Sequence, residues 1–272
     1  MPHFQTLDGT RLYFEASGLG KPVLALPGLT RNTGDFDHVA PHLDVRLIRI
    51  DYRGRGQSDW ADRATYTIPQ EAQDVLALMD HLGLEQAAIL GTSRGGLIAM
   101  AIAAMAKGRL TGVALNDIGP EIAPKGLEVI KDYIGRNPAQ KTYKAAAAFR
   151  AKAWTHFQGV PKKRWLEEVC NRYEETGDGL RIRYDPELRD AVLEAGAQPV
   201  PDLWPFFDAL DGLPLALIRG ANSDLLSKQT ADEMSRRRPD MLRTDVPGRG
   251  HVPFLDEPEA LDVLQKWIGQ LP

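Results

Sequence analysis

The chain has 272 residues, 33 Lys plus Arg against 37 Asp plus Glu, and a formal net charge of −4. A hydrophobic fraction of 43% with 26% charged residues is ordinary for a globular protein and excludes disorder as the main state. The mildly acidic balance gives no electrostatic footprint for nucleic acid or an anionic membrane, and the single cysteine, Cys170, excludes an intrachain disulfide and makes a thiolate metal site unexpected. This length suits one domain carrying an insertion. The start, MPHFQTLDG, lacks the basic stretch and apolar run of a secretory signal, so a cytoplasmic location is expected.

In chain order, Phe4 to Leu7 and Arg11 to Glu15 flank the Asp8-Gly9 turn and predict a hairpin. Val23 to Leu26 reads as a buried strand ended by Pro27-Gly28, Phe36 to Leu43 has helical spacing, and Val45 to Ile50 is a second buried strand. Ile68 to Leu82 predicts a helix with Val75, Leu76, Leu78, Met79 and Leu82 on one face and Gln70, Glu71, Gln73, Asp74 and Asp80 elsewhere. Ala87 to Leu90 is a strand, Gly95 to Ala106 a helix and Val113 to Leu115 a short strand. Strands alternating with helices imply crossovers, hence an α/β fold with a mostly parallel, twisted sheet covered on both faces.

The alternation stops at Gly119-Pro120. From there to Gly212 the sequence is charged, helical in pattern and dotted with Trp154, Trp165, Tyr173, Trp204, Phe206 and Phe207. Leu215 to Ile218 restarts the rhythm, followed by a helix over Thr230 to Arg237, a strand at Met241 to Val246 and a helix from Glu257 to Ile268. The expected division is a core of 1–119 and 213–272 with a helical cap inserted at 120–212, too long for a simple loop.

The sharpest chemical signal is Gly91-Thr92-Ser93-Arg94-Gly95, a G-x-S-x-G match between a strand and a helix. A chain of this composition would contain that pattern about 0.05 times by chance, and the strand–turn–helix setting is what a nucleophile elbow requires. A serine hydroxyl needs a base oriented by a third group. Of the six histidines, His38, His42 and His81 fall within or at the ends of amphipathic stretches, whereas His251 sits in the loop Gly248-Arg249-Gly250-His251 after a strand. The favoured acid is Asp224, in RGANSD after Leu215 to Ile218, which yields the order Ser93, Asp224, His251. Asp117, directly after the preceding strand, is the rival acid. The oxyanion donors expected are the backbone N–H groups of Arg94, next after the nucleophile, and of Leu29 in the loop after Val23 to Leu26.

These loops carry a family resemblance. LPGLTRN, IDYRGRGQSD, GTSRGG, RGANSD and GRGH together resemble the α/β-hydrolase fold superfamily, in its capped, esterase and epoxide-hydrolase-like branch. The resemblance spans both flanks and touches the insertion only in position and length. Haloalkane dehalogenases and epoxide hydrolases of this branch carry an Asp nucleophile, and Ser93 argues against both. Pro27 stands where a His usually precedes the glycine, so a histidine-organised oxyanion loop is not assumed. Arg94 replaces the common Met, Phe or Trp. It either faces the pocket, favouring a carboxylate-bearing substrate, or pairs with an acid such as Asp117 or Asp51. Arg31 and Asn32 are expected at the mouth, and Trp154 and Trp204 as walls of the pocket.

The expected function is a serine hydrolase that cleaves a small carboxylic ester or lactone through an acyl-enzyme, needing no metal or organic cofactor and acting on a small acyl substrate. The alternative is a C–C bond hydrolase of vinylogous diketone ring-cleavage products, which would use the same three groups. A low-turnover ligand-binding protein on the same scaffold is the reading from another class, and a complete triad speaks against it.

Overall fold

The computed structural model describes residues 2–198 and 201–272. Its main sheet is built from β1 (His3–Gln5), β2 (Arg11–Ser17), β3 (Pro22–Leu26), β4 (Arg46–Ile50), β5 (Ala87–Thr92), β6 (Leu110–Asn116), β9 (Leu215–Gly220) and β10 (Leu242–Val246). Their spatial order is β1-β2-β4-β3-β5-β6-β9-β10. The β1–β2 and β2–β4 pairs are antiparallel and every other pair is parallel. Crossover helices α1 (Ile68–His81), α2 (Arg94–Ala106) and α8 (Lys228–Arg237) cover it, together with the final helix α9 (Pro258–Gln270).

The strands read as continuous apolar runs because both of their faces are buried. Leu24 and Leu26 join Ile89, Leu115 and Leu217 in the cluster that packs on Val75, Leu78, Ile98 and Met234. Their neighbours Val23 and Ala25 point the other way, with Leu90, Ala114 and Ile218, onto Val263, Leu264 and Trp267. The period of two along each strand thus feeds two cores at once.

Between β6 and β9 the chain forms α3 (Pro124–Tyr133), α4 (Tyr143–Ala153), α5 (Lys162–Arg172), α6 (Leu188–Gly196) and α7 (Trp204–Asp208). It also forms an antiparallel hairpin, β7 (Tyr173–Thr176) and β8 (Gly179–Ile182), which the helical reading of this stretch did not contain. The reason is local: Gly177-Asp178-Gly179 supplies a turn, and Leu180 and Ile182 alternate inward across it. Phe36 to Leu43 likewise departs from expectation, forming short 3₁₀ turns at Thr33–Phe36 and Ala40–His42. Pro41 lacks the amide that a continuous helix would use there. No helix among the described residues is long and apolar enough to cross a membrane.

Asp51, just past β4, organises the loops above the sheet. Its buried carboxylate accepts the Thr33 amide at 2.7 Å and the Gln57 amide at 2.8 Å. Burial nevertheless pushes its pKa up to about 6. An acid raised on folding contributes stability that is complete below about pH 4 and is lost as pH rises through about 6, here about 3 kcal/mol. Urea unfolding of wild type and Asp51→Asn at about pH 4.5 and about pH 7 checks this. The wild type is expected to lose more stability than the variant over that interval, and parallel losses would refute the assignment.

Candidate active site

Ser93 occupies the turn between β5 and α2 with φ 52° and ψ −114°, a strained conformation for a residue with a side chain. The turn is tight because the backbones of β3, β5 and α2 converge beneath it. A Cβ on Gly95 would stand 2.2 Å from the Leu26 carbonyl oxygen, and one on Gly91 would stand 2.6 Å from the Gly95 carbonyl. Glycine at both positions lets the serine project from the sheet edge. Its Oγ lies 2.9 Å from His251 Nε2. His251 Nδ1 lies 2.8 Å from Asp117 Oδ2, so the three side chains form one hydrogen-bonded chain.

The acid of that chain is Asp117, and the expectation for Asp224 is corrected. Asp117 directly follows β6, the strand next to β5, whereas β9 lies one strand further from the serine. Its carboxylate is wholly buried and accepts two further donors, the Gly220 amide at 2.7 Å and the Ser223 hydroxyl at 2.6 Å. The loop RGANSD therefore serves the site through Ser223, whose Oγ in turn accepts the Leu225 and Leu226 amides. The Asp224 side chain forms no hydrogen bond or ion pair among the described residues and is partly exposed.

The two expected oxyanion donors stand on a buried ionic floor. Neither the Leu29 amide nor the Arg94 amide donates to another group among the described residues, which leaves both free for a ligand. Arg55 Nε donates to the Leu29 carbonyl at 3.1 Å and Tyr52 Oη to the Pro27 carbonyl at 3.1 Å, which fixes this loop from below. Arg55 Nη1 pairs with Glu71 Oε1 at 2.9 Å, and Arg94 Nε donates to the other oxygen of the same carboxylate. Arg94 also reaches the Tyr66 carbonyl at 3.0 Å. Its charge is thus paired behind the elbow, as one of its two expected readings held, but with Glu71 rather than Asp117 or Asp51.

Residues 21–258 match the family model described as alpha/beta hydrolase fold. The chain belongs to that family. It is 36% identical over 252 residues to a 3-hydroxybutyrate-oligomer hydrolase of Cupriavidus necator, covering 89% of this chain and 86% of that protein. A 2-(acetamidomethylene)succinate hydrolase of Mesorhizobium japonicum is 26% identical over 237 residues, covering 86% of this chain and 82% of that one. The crystal structure of an alpha/beta hydrolase from Novosphingobium aromaticivorans superposes with a TM-score of 0.91 at 37% identity, covering 99% of this chain and 97% of that one. Hydrolase chemistry is what the family and these relatives support.

In this alpha/beta hydrolase the insertion is tied to both loops that serve the serine. Gln158 N donates to the Gly248 carbonyl at 2.8 Å and Arg249 Nη1 to the Gln158 carbonyl at 2.8 Å, beside His251. Arg31 and Asn32, expected at the mouth, are used as tethers. Arg31 pairs with Asp35 at 3.0 Å and Glu168 at 3.6 Å, and Asn32 Nδ2 donates to the Asn171 carbonyl at 2.8 Å. Trp154 lines a cavity of about 300 Å³ within the insertion, together with Thr30 of the oxyanion loop. Trp204 lies elsewhere: its indole N–H donates to Glu121 at 2.9 Å and Arg237 stacks 3.9 Å above its ring. Sequence reasoning missed Glu71, placing it off the apolar face of α1 and giving it no role, although Glu71 and Asp74 are both buried. The signal was present in IDYRGRGQSD, since two inward arginines need two inward carboxylates. Arg53 takes Asp74 with a two-pronged contact at 2.7 and 2.6 Å, and Arg55 takes Glu71.

Proposed function

We propose that the protein is a serine hydrolase of small carboxylic esters or lactones, working through an acyl-enzyme. The observation that carries this reading is the continuous Ser93–His251–Asp117 chain, with contacts of 2.9 and 2.8 Å. Ser93 Oγ attacks the carbonyl carbon while His251 Nε2 takes its proton, and Asp117 holds the imidazole in the required tautomer and offsets the imidazolium charge. The carbonyl oxygen becomes anionic against the Leu29 and Arg94 amides. The imidazolium then protonates the leaving oxygen, and water, deprotonated by the same imidazole, cleaves the acyl-enzyme. Residues 120–212 act as the cap, joined as they are to the oxyanion and histidine loops. A 3-hydroxybutyrate-oligomer hydrolase and a 2-(acetamidomethylene)succinate hydrolase among the relatives agree with hydrolysis of a small acyl compound.

Turnover of p-nitrophenyl butyrate by wild type and Ser93→Ala is the direct test. The variant is expected to lose about 10⁴-fold or more in kcat, and a fluorophosphonate is expected to label wild type alone. Unchanged turnover in Ser93→Ala would sink the assignment.

A further inference from the structure

The cavity of about 300 Å³ in the insertion holds a charge imbalance that the serine chemistry leaves unused. Arg150 of α4 and Arg172 of α5 line it, with Thr30 as its contact with the oxyanion loop. Arg150 is the less compensated of the two. Its guanidinium lies 3.8 Å above the Trp154 ring and forms no ion pair or hydrogen bond among the described residues, and its Nε is buried without a partner. The carboxylates nearby are already shared. Glu168 meets Arg172 at 3.4 Å, Arg164 at 3.4 Å and Arg31 at 3.6 Å, while Asp35 is taken by Arg31. Arg172 Nε, like that of Arg150, is buried and unpartnered. Asp132 and Arg136 also line the cavity, both at its exposed rim.

Burial, reinforced by the like charge of Arg172, pushes the Arg150 pKa down to about 9, the mark of a cation held without its counter-charge. Arg150 is partly buried with its Nε out of contact with water, and a charge so placed without a counter-charge is costly, a cost that a ligand anion lowers on binding. A planar guanidinium fork matches a carboxylate, while Ala146, Phe149, Val169 and Trp154 offer apolar wall to a short methylene chain. The cavity also adjoins the loop that carries Leu29. Thr30 adjoins Leu29, whose side chain packs in the same cluster as Tyr173, Ile182 and Tyr184, three other residues of the cavity wall.

We propose that Arg150, with Arg172 beside it, anchors a free carboxylate at the far end of the acyl substrate, so that the preferred substrates are short esters of dicarboxylic or similarly acid-terminated acyl groups. This rests on the hydrolase reading above and narrows its substrate class.

The test compares p-nitrophenyl hydrogen glutarate with the neutral p-nitrophenyl pentanoate in wild type, Arg150→Gln and Arg150→Lys. Wild type is expected to favour the glutarate ester. In Arg150→Gln the ratio of the two kcat/KM values is expected to fall about 10- to 100-fold, mainly through KM for the glutarate ester, with partial recovery in Arg150→Lys. An unchanged ratio overturns the anchor while leaving the hydrolase reading intact, because pentanoate turnover and its loss in Ser93→Ala report that reading separately. Should wild type hydrolyse neither ester, tryptophan fluorescence titrated with glutarate itself decides. Weaker binding in Arg150→Gln than in wild type supports the anchor, and equal or absent binding overturns it.

Discussion

Asp117→Asn is expected to lower kcat for p-nitrophenyl butyrate by about 10⁴-fold, whereas Asp224→Asn leaves it within about twofold of wild type. The large effect follows from the tautomer. The Asp117 carboxylate accepts from His251 Nδ1 and so leaves Nε2 to take the Ser93 proton. An amide at 117 can instead donate to Nδ1, which turns the proton of the neutral ring toward the serine and removes the base. The small effect follows because the Asp224 side chain touches none of these groups. Steady-state kinetics on both purified variants check the pair, and the reverse ranking would reinstate Asp224 as the acid.

Glu71→Gln is expected to lower kcat about 100-fold with little change in KM and to depress Tm by about 10 °C. Glu71 is fully buried and its carboxylate is shared by Arg55 and Arg94. Arg55 holds the Leu29 carbonyl, and Arg94 carries the other amide proposed for the oxyanion, so one acid braces the residues that present both proposed donors. A neutral amide leaves two cations under the site with half their partner, a change of a few kcal/mol for a buried pair. Loss of Tm alone would mark a purely structural residue. The split between kcat and KM, measured on folded protein well below the lowered Tm, is what identifies a positioning one.

Much of this was legible in one dimension because it depends on local constraints. The Gly91–Gly95 spacing around Ser93 records a backbone approach so close that a methyl group does not fit. The apolar runs of β3, β5 and β9 record burial on both faces, which no surface strand needs. His251 stood apart from the other histidines because it followed a strand in a glycine-rich loop. The buried acids of α1 were harder to read, since a charged residue on the core face breaks the pattern by which that face is recognised. Their partners, Arg53 and Arg55, lie at least sixteen positions away in sequence.

The choice between Asp117 and Asp224 belongs to the tertiary structure. Both acids follow a strand, and either order with Ser93 and His251 satisfies the pattern of the chain. What separates them is strand order: β6 is hydrogen-bonded to β5, while β9 lies beyond it. An imidazole reaching back from the loop after β10 to the serine crosses β9 and meets the carboxylate at the end of β6, the strand beside the serine's own. The same holds for Arg150, an unremarkable residue of an alanine-rich helix until folding sets it on Trp154 without an acid. Sequence by itself determined the fold class and singled out Ser93 and His251, because local sterics and periodicity are written residue by residue. Which carboxylate meets His251, and which arginine is left without an acid, was decided only by three-dimensional packing, because a charge acts on its neighbours in space at a range of a few ångströms.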